Sequence, residues 1–192
     1  MTQTMPAYRL LDWLRPGYDE VPLHAPGPGQ VRVRVGGVGL CHTDVLFLTL
    51  PAGILPYDVP FTLGHEIAGW VDEVGDGVSD LSPGDAVAVA CMSTCGQCRY
   101  CRRGADNYCV DSWHGRGFGL DGGLASHIVT ARRDLVPIGD LEPRLATRLL
   151  FGMLNSVTEW YRPEGKLDAD GIADAAFRIV FEGIERRGEA RA

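Results

Sequence analysis

Four cysteines crowd one stretch of the chain: Cys95-Gly-Gln-Cys98-Arg-Tyr-Cys101, then Cys109. Thiolates are zinc ligands, and four of them close a tetrahedral shell that leaves no position for a substrate. Gly96 and Gly104 free the local backbone to turn all four sulfurs inward. The spacing therefore predicts a structural zinc lobe over residues 91–110 rather than unrelated buried thiols. A second constellation joins Cys41-His-Thr-Asp44 to Gly64-His-Glu66. A catalytic zinc needs three protein ligands and one exchangeable position. Cys41 and His65 are two ligands of the right type, and Glu66 is either an occasional third ligand or a group one step out. Asp44 could hydrogen-bond the far nitrogen of His65 and fix its tautomer. Thr43 offers a hydroxyl that could pass on an alcohol proton. From residue types and spacing alone, the pair reads equally as a packed histidine and a small buried thiol.

The elements that must position these groups change character near residue 140. Before it, 25 glycines and 12 prolines across the chain imply many tight turns and favour β structure over a helical bundle. Val31-Arg-Val-Arg-Val35 alternates apolar and polar residues, as a half-buried strand does. Ile67 to Val74, Asp85 to Ala90 and Leu124 to Thr130 are further strand candidates between turn residues. Short strands punctuated this way predict a barrel or a sandwich. After residue 140 the period becomes helical, with Leu145, Leu149, Met153, Val157 and Trp160 three or four residues apart. Pro143 suits a first helical turn, and Pro163-Glu-Gly165 ends the run. Asp168 is a plausible N-cap for a second stretch through Ile172, Ala176, Ile179, Val180, Gly183 and Ile184. Two amphipathic helices cannot cover both of their own stripes, so a partner surface is expected.

Composition excludes several classes. A net charge of −7 argues against a nucleic-acid partner, which needs a basic surface. No run approaches the ~18 apolar residues of a membrane span, so no membrane is expected. Met1 to Leu14 shows no apolar leader, and a cytoplasmic location is the default. In that compartment six cysteines serve better as ligands than as disulfides. Gly115-Arg-Gly117-Phe-Gly119 comes nearest to a phosphate-binding glycine run, but it lacks a strand-to-helix setting and reads as a flexible turn. Arg132-Arg133 and Arg186-Arg187 read as solvated pairs.

Gly64-His-Glu-Ile-Ala-Gly69, followed by Val71, Gly75 and Val78, resembles the zinc signature of the medium-chain alcohol dehydrogenases. Gly39-Leu-Cys-His-Thr-Asp44 resembles that family's first ligand motif, and Cys95, Cys98, Cys101 and Cys109 resemble its structural zinc loop. Leu135-Val-Pro-Ile-Gly-Asp140 resembles the end of its N-terminal segment in bacterial NAD-dependent secondary-alcohol dehydrogenases. The motifs occur in order between residues 6 and 143. The resemblance implies a mainly β chain: a GroES-like β-barrel over residues 1–142 with a zinc lobe, followed by a helical tail. It implies that Cys41 and His65 hold a catalytic zinc whose open position takes the alcohol oxygen of a small alcohol or carbonyl substrate. Thr43 would relay the proton, with His42 next in line, and hydride would pass to NAD. Leu46, Phe47 and Trp113 would lie near the substrate or, as the plainer reading prefers, in the barrel core.

The resemblance also marks departures. The family's third zinc ligand, a Cys or Asp, is absent from Pro143 to Leu150, so Glu66 is the remaining candidate. No Rossmann domain with its glycine fingerprint follows, so NAD enters by family only and the chain is expected to be catalytically incomplete by itself. Leu150 to Pro163 and the second periodic stretch instead resemble the last two helices of TetR-family regulators, which dimerise as a four-helix bundle. That implies a helical hairpin over residues 143–192, a homodimer through residues 143–188, and a join near Glu142-Pro143 that reads as a fusion. The regulators' DNA-binding head has no counterpart. The alternative to an enzyme is a non-catalytic, zinc-binding, dimerising module.

Overall fold

The computed structural model describes residues 3–112, 114–165 and 168–179. Its strands are β1 (Thr4–Asp12), β2 (Arg15–Pro22), β3 (Gln30–Gly39), β4 (Phe61–Thr62), β5 (Glu66–Val74), β6 (Ala86–Val89), β7 (Gly115–Arg116), β8 (Gly119–Leu120), β9 (His127–Ala131) and β10 (Leu135–Pro137). Its α-helices are α1 (His42–Phe47), α2 (Pro143–Trp160) and α3 (Ala169–Phe177). An antiparallel five-stranded sheet runs in the order β10-β6-β5-β3-β9, and a three-stranded sheet in the order β2-β1-β4. The fold is mainly β with a helical tail.

Alternation along β3 builds the larger core. Val31 and Val33 point inward and pack with Ile67, Val71, Val87, Val89 and Ile128. Each such side chain, fully buried, is worth about 1.5–3 kcal/mol relative to exposure. On the other face of β3, Arg32 pairs with Asp72 at 2.6 Å and Glu73 at 2.8 Å, and Arg34 lies over the Trp70 ring. A second core of Leu10, Phe47, Phe61 and Leu63 anchors α1 beneath the three-stranded sheet. Phe47 sits edge-on to Tyr57, Phe61 and Phe118, so this residue is barrel core. Leu46 beside it is 39% exposed.

The first turns of α2 lie on the five-stranded sheet, where Ala146 meets Ala68 and Ile138. Two glycines of β3 allow the approach. A Cβ on Gly36 would meet Pro143 Cβ at 3.0 Å, and one on Gly37 would meet Arg144 Cα at 3.1 Å. Pro143 opens the helix, and the Glu142 carboxylate accepts the Leu145 N–H at 3.0 Å. Asp168 caps α3 by accepting the Gly171 N–H at 2.8 Å, as its position suggested. No residue of α3 is buried.

The four expected strands correspond to β3, β5, β6 and β9, the last starting later than its pattern suggests. β1 and β2 carry no clean alternation, so no pattern in the sequence marks them as strands. Arg132 is half-buried and Arg133 exposed, and each has a surface partner: Arg132 pairs with Asp80 at 2.7 Å, and Arg133 pairs with Asp106. Trp113, Val180, Gly183, Ile184 and Arg186-Arg187 lie outside the described residues.

Candidate metal centre

Cys41 is the N-cap of α1. Its Sγ accepts the Thr43 N–H at 3.3 Å, and the Asp44 carboxylate accepts the Cys41 N–H at 3.1 Å. The two contacts form a reciprocal capping box that fixes where the sulfur points. The other Asp44 oxygen accepts the Gly64 N–H at 3.1 Å, so one buried carboxylate ties both ligand loops together.

His65 follows Gly64, which adopts a left-handed φ of +88°. A Cβ there would meet Val38 Cγ1 at 2.7 Å and Leu124 Cγ at 3.0 Å. Gly117 backs this turn: a Cβ on it would lie 2.9 Å from the Gly64 carbonyl. The glycine run around Gly117 is thus packing for the ligand loop, and Phe118 from the same run lies 4.5 Å from the His65 ring. We expect Gly64→Ala to cost at least about 2 kcal/mol of stability, because it combines backbone strain with overlap. Gly77→Ala, at a φ of +82° with open space around it, isolates the strain alone and should cost less. Denaturant midpoints of the two variants check this.

The outcome is a convergent cluster. Cys41 Sγ lies 3.0 Å from His65 Nε2, and Glu66 brings a carboxylate oxygen within 4.8 Å of both. Asp44 Oδ1 stands 3.6 Å from His65 Nδ1. That is an ion-pair distance and longer than the expected hydrogen bond, which leaves Nδ1 buried without a close acceptor. Burial works to lower the His65 pKa, but the Asp44 carboxylate and the Cys41 sulfur outweigh it and hold it above the ordinary value. Burial works to raise the Asp44 pKa, but His65 and the Cys41 and Gly64 amides hold it below the usual carboxylate value. Thr43 is half-buried and His42 exposed, both in the first turn of α1.

Two residues near the cluster had no sequence signal of their own. Burial, and then the charges of Cys41, Asp44 and Glu66, push the Cys91 thiol up to about 12. Cys91 is not among the groups whose ligand atoms converge with Cys41 and His65. Asn155 on α2 donates its side-chain N–H to Glu66 Oε1 at 2.7 Å. Its one clue was register: it follows Thr147, which packs against Gly37, by two steps of four.

The donor set fits zinc. Bonds of about 2.3 Å to sulfur and about 2.0 Å to nitrogen at a tetrahedral angle would separate the two atoms by about 3.5 Å. The Cys41–His65 pair needs only a small spread to reach that. The Cys95 lobe fits as well, with all four sulfurs within 4.8 Å of one another. Cys98 and Cys101 sulfurs are 3.5 Å apart, and Cys95 and Cys101 sulfurs 4.0 Å apart. A tetrahedral zinc–thiolate shell has edges of about 3.8 Å. The Cys101 N–H, with help from Val110, lowers the Cys98 thiol to about 6, whereas burial pushes Cys101 up to about 12. A cavity of about 320 Å³ is lined by Arg9, Arg32, Arg116 and Asp121 among others, and by no residue of either cluster. Among the described residues no helix is long and apolar enough to cross a membrane.

Comparison with known proteins places this geometry. The alcohol dehydrogenase GroES-like domain matches residues 27–140, and the tetracyclin repressor-like C-terminal domain matches residues 122–184. S-(hydroxymethyl)glutathione dehydrogenase of Escherichia coli is 41% identical over 103 residues, which is 53% of this chain and 27% of that protein. A thermostable alcohol dehydrogenase from Pyrobaculum aerophilum superposes with a TM-score of 0.68 at 27% identity, covering 80% of this chain and 48% of that one. Acetophenone reductase from Geotrichum candidum, solved with NAD, superposes with a TM-score of 0.67 at 30% identity, covering 77% of this chain and 44% of that one. Both superpositions cover more than the part of the chain that precedes α2. The chain spans less than half the length of these structures. The first of the two family matches covers more than half of the chain and contains every cysteine and histidine of both clusters, so the chain belongs to the alcohol dehydrogenase GroES-like domain family.

Proposed function

We propose that this chain is the zinc-binding, substrate-side part of a zinc-dependent alcohol dehydrogenase that interconverts a small alcohol and its carbonyl compound. The observation that carries the reading is the 3.0 Å approach of Cys41 Sγ to His65 Nε2 beside the Glu66 carboxylate. Cys41, His65 and Glu66 would hold the catalytic ion, and Cys95, Cys98, Cys101 and Cys109 a structural one. Bound there, zinc supplies Lewis acidity toward an alcohol oxygen. The residues of the chain do the rest. Asp44 sets the two ligand loops and faces His65. Thr43, two residues past Cys41, takes the proton from the hydroxyl and passes it toward exposed His42. Phe118 and Phe47 form an apolar wall behind the His65 ring.

NAD as hydride acceptor follows from the family. Among the described residues no strand-to-helix glycine turn is present to cradle it. The reading includes negligible turnover by this chain alone, in a reducing, cytoplasmic setting that keeps the six cysteines out of disulfides. The test is NAD⁺ reduction with 2-propanol or 1-phenylethanol by zinc-loaded protein, with and without Cys41→Ala. No measurable rate in either is expected. A rate lost on Cys41→Ala would refute incompleteness and keep the site, whereas a rate that survives it would refute the site.

A second reading has its own support. Leu145, Leu149 and Trp160 form an exposed apolar stripe on α2 within the tetracyclin repressor-like match. On this reading two copies pair through the outward face of α2, and the protein is a zinc-binding module without catalysis.

A further inference from the structure

The hydrogen bond from Asn155 to Glu66 joins residues 89 apart in sequence. It links the helical tail to the metal cluster. Glu66 is 5% exposed, so its carboxylate has few directions to point. On one side it lies against the backbone of β3, where a Cβ on Gly39 would overlap Glu66 Oε2. On the other side the Asn155 amide holds Oε1. An N–H on one carboxylate oxygen leaves the lone pairs of the other for a cation. An amide is also neutral. A lysine or arginine in its place would cancel the carboxylate's charge and compete with a metal, whereas Asn155 orients the group and leaves the charge intact.

We propose that Asn155 is a positioning residue of the metal centre, pinning Glu66 so that its carboxylate completes a three-ligand set with Cys41 and His65. The proposal rests on the reading that this cluster binds a metal. It explains how the chain manages without a Cys or Asp between Pro143 and Leu150. α2 passes that stretch and, further along, delivers a neutral donor to a carboxylate already in the cluster. Groups that orient a metal ligand in this way typically matter by about 10–100-fold in metal affinity.

The test is titration of the metal-free full chain with Co²⁺, followed by thiolate charge-transfer and ligand-field absorption. Bands missing in Cys41→Ser belong to the second site, and those that remain belong to the four-cysteine lobe and report a folded chain. Asn155 is exposed, so Asn155→Leu removes the N–H at similar volume without opening the core. It should weaken the second equivalent about 10–100-fold and change its ligand-field bands. Asn155→Gln, which keeps the amide, should recover part of the loss. If Asn155→Leu matches wild type while Glu66→Gln and Cys41→Ser lose the second equivalent, the role of Asn155 is refuted and the metal site stands. Equal losses in Asn155→Leu and Asn155→Gln would also refute it, since the amide would not matter. A wild-type chain that takes only one equivalent refutes the metal reading, and the proposal with it.

Discussion

A Cys101→Ser chain should lose its lobe zinc and the order of residues 91–110, and keep its barrel. Among those residues only Cys101 is buried, so the lobe has no hydrophobic core of its own. Its regular structure is two short 3₁₀ turns, Cys101–Arg103 and Asp106–Tyr108. What brings the segment together is sulfur: Cys95, Cys98 and Cys101 each direct a backbone N–H at the sulfur of another lobe cysteine, at 3.3–3.5 Å. Structural zinc contributes about 10–16 kcal/mol of folding free energy in small zinc-finger peptides, spread over four ligands. Losing one thiolate should therefore weaken zinc at least about a hundredfold. The large core of Val31, Val33, Ile67, Val71 and Val87 contains no lobe residue. The lobe meets the rest of the domain through the Asp106–Arg133 ion pair and through backbone bonds, with the Arg116 N–H donating to the Cys91 carbonyl at 2.7 Å and the Ser93 N–H to the His114 carbonyl at 3.3 Å. Limited proteolysis should then cut the variant first between residues 91 and 110, with zinc content falling by one per chain. A variant that keeps both its zinc and its protection would show that packing, not metal, holds the lobe.

How legible this was in the sequence depends on the range of each contact. The lobe is local: four sulfurs within a short loop leave a spacing that reads directly as a ligand set. β3 is legible because its alternation of Val and Arg is also the alternation of core and ion pair. Cys41 and His65 lie farther apart, and only motifs around each made their meeting readable. Asn155 left no such trace, because a single asparagine on an amphipathic helix is ordinary until the fold brings Glu66 beneath it. Gly117 shows the same limit: its spacing resembles a phosphate loop, and its packing against Gly64 depends on a fold-level approach. Asp44 faces His65, as the motif suggests, and its closest bonds go to the backbone of Cys41 and Gly64. Capping of that kind depends on where a helix starts, and α1 is only six residues long.

The other large effect is expected on the outward stripe of α2. Leu145, Leu149 and Trp160 are 46%, 55% and 52% exposed, on the side of the helix away from Ala146 and Thr147, which pack on the sheet. An 18-residue helix is about 27 Å long, long enough to carry much of the roughly 800 Å² per partner that a stable pair buries. If a second copy covers this stripe, as we propose, sedimentation velocity should show a dimer at micromolar concentration. Leu145→Glu/Leu149→Glu places two charges on the N-terminal half of that surface, where each would be desolvated without a partner. The dissociation constant should rise at least about a hundredfold, leaving monomer. Both side chains are half exposed, so zinc content and secondary structure should not change in the variant. A wild-type chain that stays monomeric at high concentration would rule the second copy out. A dimer indifferent to the two glutamates would place the interface elsewhere on the molecule. Loss of the dimer with zinc retained would show that the helical tail carries assembly separately from the metal chemistry of the barrel, apart from the single contact that Asn155 makes between them.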